Sequence, residues 1–211
     1  SIVMNGGSIE GNINNSATPD GSAIYSNGSL DFDDVTISGN SGSAPTIYLS
    51  GIDQLIEFTD VEIFNNTGSS NNTGQIFFTN GPRLLFDNVV IRDNTLLSDD
   101  AVMHVLEGSA QPGSIFNRLQ VTGHEYGAFF SPRIHGTDNT MTLNNCTFAD
   151  NNRSNNSGFN SLNITGYGPY YGPYQSCDGN LFTENTCFDQ EPGCPLSYDS
   201  DFNPNAGISN C

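Results

Sequence analysis

Three aspartates are spaced so that a stacked fold would bring their carboxylates together. Asp34, Asp60 and Asp87 recur at intervals close to those of a repeated segment. Stacked like charges are costly unless a proton or cation intervenes, and carboxylate oxygens are ligands that calcium prefers. The spacing predicts a calcium site at these three residues, the alternative being that the side chains are solvated and splayed apart. We expect no required cofactor, with calcium as the one candidate.

Paired carboxylates and arginines could also carry acid–base chemistry. Asp33-Asp34 and Asp99-Asp100 are the acidic pairs, and Arg92 and Arg118 are the arginines that could face a carboxylate groove. However, acidic residues are ordinary turn formers, and exposed arginines commonly form solvated salt bridges. Lys, one usual base, is absent. We therefore assign no catalytic residue, and a polysaccharide lyase or hydrolase, or a carbohydrate-binding module with an acidic groove, remains the alternative function.

The cysteines divide into a clustered group and one outlier. Four of them, Cys177, Cys187, Cys194 and Cys211, lie within the last 35 residues. Such crowding in a loop-rich tail predicts two disulfides and an oxidising compartment, and the sequence leaves the three possible pairings open. Cys146 stands in an apolar column of the repeat and is predicted to be a buried thiol that acts as a small hydrophobic residue.

Eight Asn-x-Ser/Thr sequons are candidate N-glycosylation sites: Asn14, Asn27, Asn65, Asn71, Asn145, Asn152, Asn155 and Asn163. Most of them fall at predicted corners and loops, where a bulky glycan can extend into solvent. With the predicted disulfides they indicate a secreted glycoprotein. In a bacterial protein the sequons would be incidental to Asn-rich corners.

These residues are positioned by a repeated segment. Apolar residues alternate, skip a polar pair, and alternate again in segments 30–37, 56–63, 84–91, 114–121 and 141–148. Alternation with period two places one face of a strand inward, and the polar pair marks a corner between two short strands. A third short strand recurs between the segments, at 23–25, 47–49, 76–78, 102–105 and 128–130.

A polar column confirms the register of the repeat within the sequence. It lies five residues after the third apolar column and consists of Asn40, Asn66, Asn94, His124 and Asn151. Asn tolerates the left-handed conformation at tight corners, and its amide can bond to the equivalent amide one coil away. We predict an Asn ladder with His124 as its irregular member. Projection back by one coil assigns Ile9 and Asn14 to the same columns, so that a first coil begins near residue 1.

The repeats predict an all-β fold, a right-handed single-stranded parallel β-helix of about 6–7 coils of 26–30 residues. The β-helix would span residues 1–165. Residues 166–211 would form a Tyr/Pro/Gly loop and a Cys-rich, disulfide-bearing C-terminal cap. The Gly-Pro-Tyr duplication within 166–174 cannot continue a central strand because Pro lacks the ladder donor. It is predicted to cover the end of the last coil or to contact another subunit or sugar rings.

The repeated pattern F-x-x-V-x-I-x-x-N, preceded by A-I-Y-S-N-G at 23–28, resembles that of the pectin-lyase-like β-helix superfamily. Its pattern is most similar to the surface repeats of polymorphic outer-membrane and adhesin-type proteins, and the resemblance covers roughly residues 1–165. It implies the fold and an extracellular setting. Enzymes of that superfamily carry paired Asp, Gly-His-Gly and Arg-x-Lys elements. Here Gly123-His124-Glu125 supplies only part of the second, and the third is impossible without Lys.

The charge and composition of the chain restrict the kinds of molecule that it can bind. The chain has 23 acidic residues against five arginines, a formal net charge of −18. Such a surface repels nucleic acid and anionic lipid, and no apolar run reaches the roughly 18–20 residues of a membrane helix. We predict an extracellular or cell-surface structural protein, a subunit of a filament, appendage or wall layer, or an adhesive module. Its predicted partners are further copies, other surface proteins and N-linked glycans, with polysaccharide in the alternative function.

Overall fold

The structure, a computed structural model, describes residues 1–15, 21–51, 53–68, 76–97, 102–107, 113–124, 130–134, 141–149, 174–176, 181–183 and 209–210. All regular secondary structure in these residues is β-strand. In chain order the strands are β1 Ile2–Glu10, β2 Ile13–Asn14, β3 Ile24–Ser26, β4 Leu30–Ser38, β5 Ser41–Gly42, β6 Ile47–Ser50, β7 Leu55–Thr59, β8 Glu62–Phe64, β9 Thr67–Gly68, β10 Phe77–Gly81, β11 Arg83–Asp87, β12 Val90–Arg92, β13 Thr95–Leu96, β14 Met103–Glu107, β15 Ile115–Asn117, β16 Gln120–Thr122, β17 Phe130–Ile134, β18 Met141–Asn144, β19 Thr147–Ala149, β20 Tyr174–Ser176, β21 Leu181–Thr183 and β22 Ser209–Asn210. The described residues contain no helix long and apolar enough to cross a membrane.

Every strand pair is parallel, and the strands form three sheets of 13, five and four strands. Leu30 pairs with Ile56, and Ile56 pairs with Leu84. Since the chain returns to the same column one coil later each time, it makes about three turns between Leu30 and Ser114. This geometry confirms the predicted all-β parallel solenoid. The Cys-rich tail lies almost wholly outside the described residues.

The interior is built from the apolar columns that the repeat predicted. Phe32, Phe58 and Phe86 stack face to face, with ring centroids 5.2 and 5.0 Å apart, and Phe116 continues the column edge-on at 5.3 Å. The neighbouring columns of Val and Ile side chains are at most 1% exposed. Such aromatic pairs add about 0.5–1.5 kcal/mol each beyond the area they bury. The columns therefore hold consecutive coils in register.

Cys146 occupies the Val column, as the sequence predicted. Its side chain is fully buried, and its thiol donates to the main-chain oxygen of Phe116 at 3.3 Å. Burial raises the pKa of the Cys146 thiol to about 11, because the thiolate would be desolvated. The prediction of a buried, apolar role for this residue is confirmed.

Each coil turns two corners through single residues in the left-handed conformation. The first corner uses the second residue of each polar pair, and its column is Gly6, Asp34, Asp60, Asn88, Arg118 and Asn145, with φ between 52° and 74°. The second corner uses Gly11, Gly39, Asn65, Asp93 and Gly123, with φ between 51° and 72°. The sequence attributed the second turn to the ladder asparagines. The structure corrects this, since the residue before each ladder position adopts the left-handed conformation.

The Asn ladder is present and has a direction. Asn12, Asn40 and Asn66 each donate from Nδ2 to the Oδ1 of the Asn one coil later, at 2.8, 2.9 and 3.0 Å. Each main-chain N–H of the same three residues donates to that same Oδ1, at 2.9–3.0 Å. In the first coil the ladder residue is Asn12 and not Asn14, which pairs with Gly42 in the four-stranded sheet. Gly7, and not Ile9, is the partner of Val35, so counting five residues from Gly7 gives position 12; Ile9 pairs with Ile37. Asn151 lies outside the described residues.

Candidate functional site

The predicted calcium residues lie at the first corner of consecutive coils but not in one column. Asp34 and Asp60 are both left-handed corner residues, whereas Asp87 occupies the preceding column, opposite Thr59. Oδ1 of Asp60 accepts a hydrogen bond from Nδ2 of Asn88, one coil later, at 2.6 Å. Oδ1 of Asp87 forms an ion pair with Arg118 at 2.7 Å, again one coil later. Two of the three carboxylates therefore have partners from this chain.

The described residues form no group of three or more His, Cys, Asp or Glu side chains that could hold a metal ion. The calcium site at Asp34, Asp60 and Asp87 stays a prediction.

Arg92 lies at the centre of the second charged cluster. Its Nε donates to Oε1 of Glu62 at 2.7 Å, and its Nη1 donates to Oδ2 of Asp93 at 2.8 Å. Its guanidinium carbon lies 4.4 Å from the centre of the Phe64 ring. The hydrogen bonds to Asp93 and Glu62 raise the pKa of Arg92 above its ordinary value. A guanidinium that pairs with a carboxylate of the previous coil helps to hold the two coils together. Because its pKa is raised it keeps its proton, so it is poorly suited to act as a base.

The other residues considered for catalysis are less informative. Asp33 is exposed at the first corner, in the column of Thr59 and Asp87. Asp99-Asp100 and Glu125 lie outside the described residues. His124 is buried and belongs to the Asn ladder, where its Nε2 lies 3.2 Å from Nδ2 of Asn94.

Three predicted glycosylation sites lie on the exposed surface. Asn27, Asn65 and Asn145 are exposed, and the last two turn corners with φ of 53° and 52°. Residues at these corners project away from the core, so a glycan there would extend into solvent. Asn14 is half-buried and donates to the main-chain oxygen of Gly21 at 3.3 Å. Asn71, Asn152, Asn155 and Asn163 lie outside the described residues, as do Cys177, Cys187, Cys194 and Cys211.

The coil formed by residues 2–14, called the end coil below, is open on one side within the described structure. Among the described strands, β1 pairs with β4 alone and β2 with β5 alone. Ile2 is 57% exposed, whereas Leu30, its equivalent one coil later, is 1% exposed. Asn12 is likewise exposed, whereas Asn40 is fully buried. The end coil thus presents core residues, a ladder residue and a strand edge together.

An aromatic stack on the outer face of the five-stranded sheet was missed in the sequence. The Tyr25 and Tyr48 rings are 5.5 Å apart, and the Tyr48 and Phe78 rings are 4.9 Å apart. Tyr25, 52% exposed, ends the stack on the side of the end coil. The signal was available, because an aromatic residue recurs at the same position of three successive third strands.

Comparisons with known proteins gave no match to any family model, curated protein or solved structure.

Proposed function

We propose that this chain is an extracellular, glycosylated structural protein, a β-solenoid subunit of a cell-surface filament, appendage or wall layer, or an adhesive module. The observation that supports this best is that charged side chains on the outer surface pair with one another between coils. Arg92 and Arg118, the arginines that an enzyme groove would need, bind carboxylates that include those of the previous coil, Glu62 and Asp87. The charged side chains on the surface thus bridge consecutive coils.

Finer features of the fold belong to the same proposal. The solenoid is right-handed, since crossover connections between parallel strands of one sheet are right-handed in about 98% of cases. The solenoid has about 6–7 coils over residues 1–165, and residues 166–211 form a disulfide-bearing cap. The resemblance in pattern to pectin-lyase-like and adhesin-type repeats supports this arrangement. Calcium at Asp34, Asp60 and Asp87 would act as a stabiliser of the first corner.

The assembly can be tested on protein secreted from eukaryotic cells. Sedimentation velocity and negative-stain electron microscopy over a range of concentrations, with calcium or with a chelator, should show end-to-end particles that lengthen with concentration. Strict monomers under every condition, with material from the native source equally dispersed, would contradict the filament function.

Glycosylation is tested by substitution at the second corner. Asn65→Asp removes the sequon while Asp suits the left-handed conformation, as Asp93 shows with φ 51° in the equivalent position. The variant should lose mass equal to one N-glycan, and Thr67→Ala should lose the same mass. If both variants differ from the wild type only by the mass of the substituted side chain, Asn65 carries no glycan.

The carbohydrate-active alternative is favoured by one observation, the outward-facing aromatic residues Tyr25 and Tyr48 next to a strongly acidic surface. Incubation with a panel of acidic and neutral polysaccharides would reveal unsaturated or reducing-end products. Any turnover that Arg92→Ala or Arg118→Ala abolishes would replace the structural function with an enzymatic one.

A further inference from the structure

We infer that a glycan on Asn65 packs its first sugar, N-acetylglucosamine, on the Phe64 ring and thereby stabilises the solenoid. This inference rests on the proposed glycosylation and specifies what one glycan contacts and what the contact does. Three features carry it: the corner position of Asn65, the ring of Phe64 beside it, and a notch formed by the small residues Ser38 and Gly39 one coil earlier.

Asn65 and Phe64 leave the surface side by side. Asn65 is exposed and turns the second corner in the left-handed conformation, with φ of 53°. It directly follows Phe64, the last residue of β8. The neighbouring Ile63 is fully buried, so the Phe64 side chain points outward by the alternation of the strand. A glycan on Asn65 therefore begins next to an aromatic ring.

One face of the Phe64 ring is covered from the following coil. The guanidinium carbon of Arg92, the partner of Phe64 in β12, lies 4.4 Å from the ring centre. Glu62 and Asp93 fix this guanidinium through contacts of 2.7 and 2.8 Å. A cation held over one face restrains the ring. A sugar can thus pack on the other face without the cost of ordering the ring first.

The other face of the ring is turned toward the notch. Ser38 is the partner of Phe64 one coil earlier, and Gly39 occupies the same corner column as Asn65. Outside its chain neighbours, the nearest described atom that a Cβ on Gly39 would meet is the main-chain nitrogen of Gly11, at 3.9 Å. The notch therefore leaves space for a sugar ring beside Phe64 and Asn65.

The chemistry of the first sugar suits this space. A pyranose ring carries C–H groups whose partial positive charge matches the negative face of an aromatic ring. The contact buries apolar area on both rings while the hydroxyl groups stay in solvent. N-acetylglucosamine is neutral, so the net charge of −18 does not repel it. Because the sugar is bonded to the adjacent residue, its effective concentration at the ring is high.

The other exposed sequons in the described residues lack this arrangement. Asn145 follows Asn144, whose Nδ2 donates to Oδ1 of Asn117 at 2.7 Å, and its neighbour in the corner column is the long side chain of Arg118. Asn27 follows Ser26, which is buried. Asn145 is therefore a control site within the same molecule.

A double-mutant cycle in the full chain, secreted from eukaryotic cells, tests the contact. Thr67→Val removes the sequon and keeps the β-branched shape, whereas the matched control Thr67→Ser keeps the sequon. Both are made with Phe64 and with Phe64→Thr, which introduces the residue type of Thr122, at the same position two coils later. The mass of the Asn65 peptide gives the occupancy, and thermal unfolding of the glycosylated fraction gives the Tm.

With Phe64 present, we expect Thr67→Val to have a Tm about 2–4 °C below that of Thr67→Ser, as the loss of a contact similar to one aromatic pair gives in a chain of this length. With Phe64→Thr the difference should fall below about 1 °C. An endoglycosidase that leaves one N-acetylglucosamine on each Asn should preserve the difference. Thr147→Val, which removes the sequon at Asn145, should shift the Tm equally with Phe64 and with Phe64→Thr.

The failure of this inference and of the proposed function can be told apart. An unmodified Asn65 peptide in the wild type would overturn the inference together with glycosylation of this site. A glycosylated Asn65 whose loss shifts the Tm equally with and without the Phe64 ring would overturn the inference alone and leave the proposed function in place. A difference that disappears when the glycan is trimmed would overturn packing by the first sugar.

Discussion

Thr79 is a buried hydroxyl in an apolar column. It pairs with Leu49 on one side and Val105 on the other, and its Oγ1 has no hydrogen-bond partner in the part of the chain that the structure describes. A buried hydroxyl without a hydrogen-bond partner lowers the free energy of unfolding by about 1–3 kcal/mol, because it loses its bonds to water. A methyl group of similar size has no such bonds to lose.

We therefore expect Thr79→Val to raise the free energy of unfolding by about 1 kcal/mol. Equilibrium urea unfolding measures the change. Thr95→Val, at an exposed strand position, is the matched control and should change stability by less than about 0.5 kcal/mol. A loss of stability in Thr79→Val would show that the hydroxyl has a partner after all.

Cys146 gives a prediction in alkaline solution. The pKa of its thiol is raised to about 11 in the folded chain, against an ordinary value of 9.0. The folded state favours the neutral thiol, so this contribution to stability is complete below the unfolded pKa and is lost as pH rises through the folded pKa. The free energy of unfolding should fall between about pH 9 and pH 11 in the wild type, and less so in Cys146→Val.

Thiol titration without reductant provides a second measurement of the same residue. The native protein should react with no thiol reagent at pH 8, and the denatured protein should expose one thiol if the four tail cysteines form disulfides. More than one thiol in denaturant would contradict those disulfides, independently of Cys146.

At the scale of elements, the Asn ladder joins coils through side chains that are themselves buried. Oδ1 of Asn66 accepts from Asn40, and its Nδ2 donates to the oxygens of Ile37, Phe64 and Asn94. Asn66→Ala leaves several of these groups without a partner, so we expect a loss of about 2–4 kcal/mol in unfolding free energy. Asn12→Ala, at the exposed end of the same ladder, should cost about 1 kcal/mol or less. Equal costs would show that burial does not set the strength of the ladder.

His124 continues the ladder with an imidazole. Oδ1 of Asn94 accepts from Asn66, which orients the amide so that its Nδ2 donates to Nε2 of His124.

At the scale of the whole molecule, the net charge of −18 opposes association of copies. Screening shortens the range of this repulsion from about 30 Å at 0.01 M salt to about 8 Å at 0.15 M. We expect the apparent association constant of the wild type to rise between these two salt concentrations, as measured by sedimentation equilibrium. Association that falls as salt rises would indicate that charge-pair contacts hold the copies together.

The coil register was predictable because it depends on local patterns repeated along the chain. The columns of Phe32, Val35 and Ile37 alternate with period two, and each recurrence strengthens the same assignment. The buried position of Cys146 followed from its column alone. The start of the Asn ladder was wrong by two residues because Gly7 replaces the apolar residue that marks the column in every later coil.

The partners of the charged side chains could not be predicted, because they depend on distances between coils. Asp34, Asp60 and Asp87 look alike in sequence, yet only the tertiary structure shows that Asp87 pairs with Arg118 and that Asp60 accepts from Asn88. Long side chains can reach several neighbours, and the choice among them is made by packing. The sequence by itself determined the strands, the first corner and the inward columns, since these are local properties with a period. Only the tertiary structure decided which residue turns the second corner and which groups at the corners are satisfied.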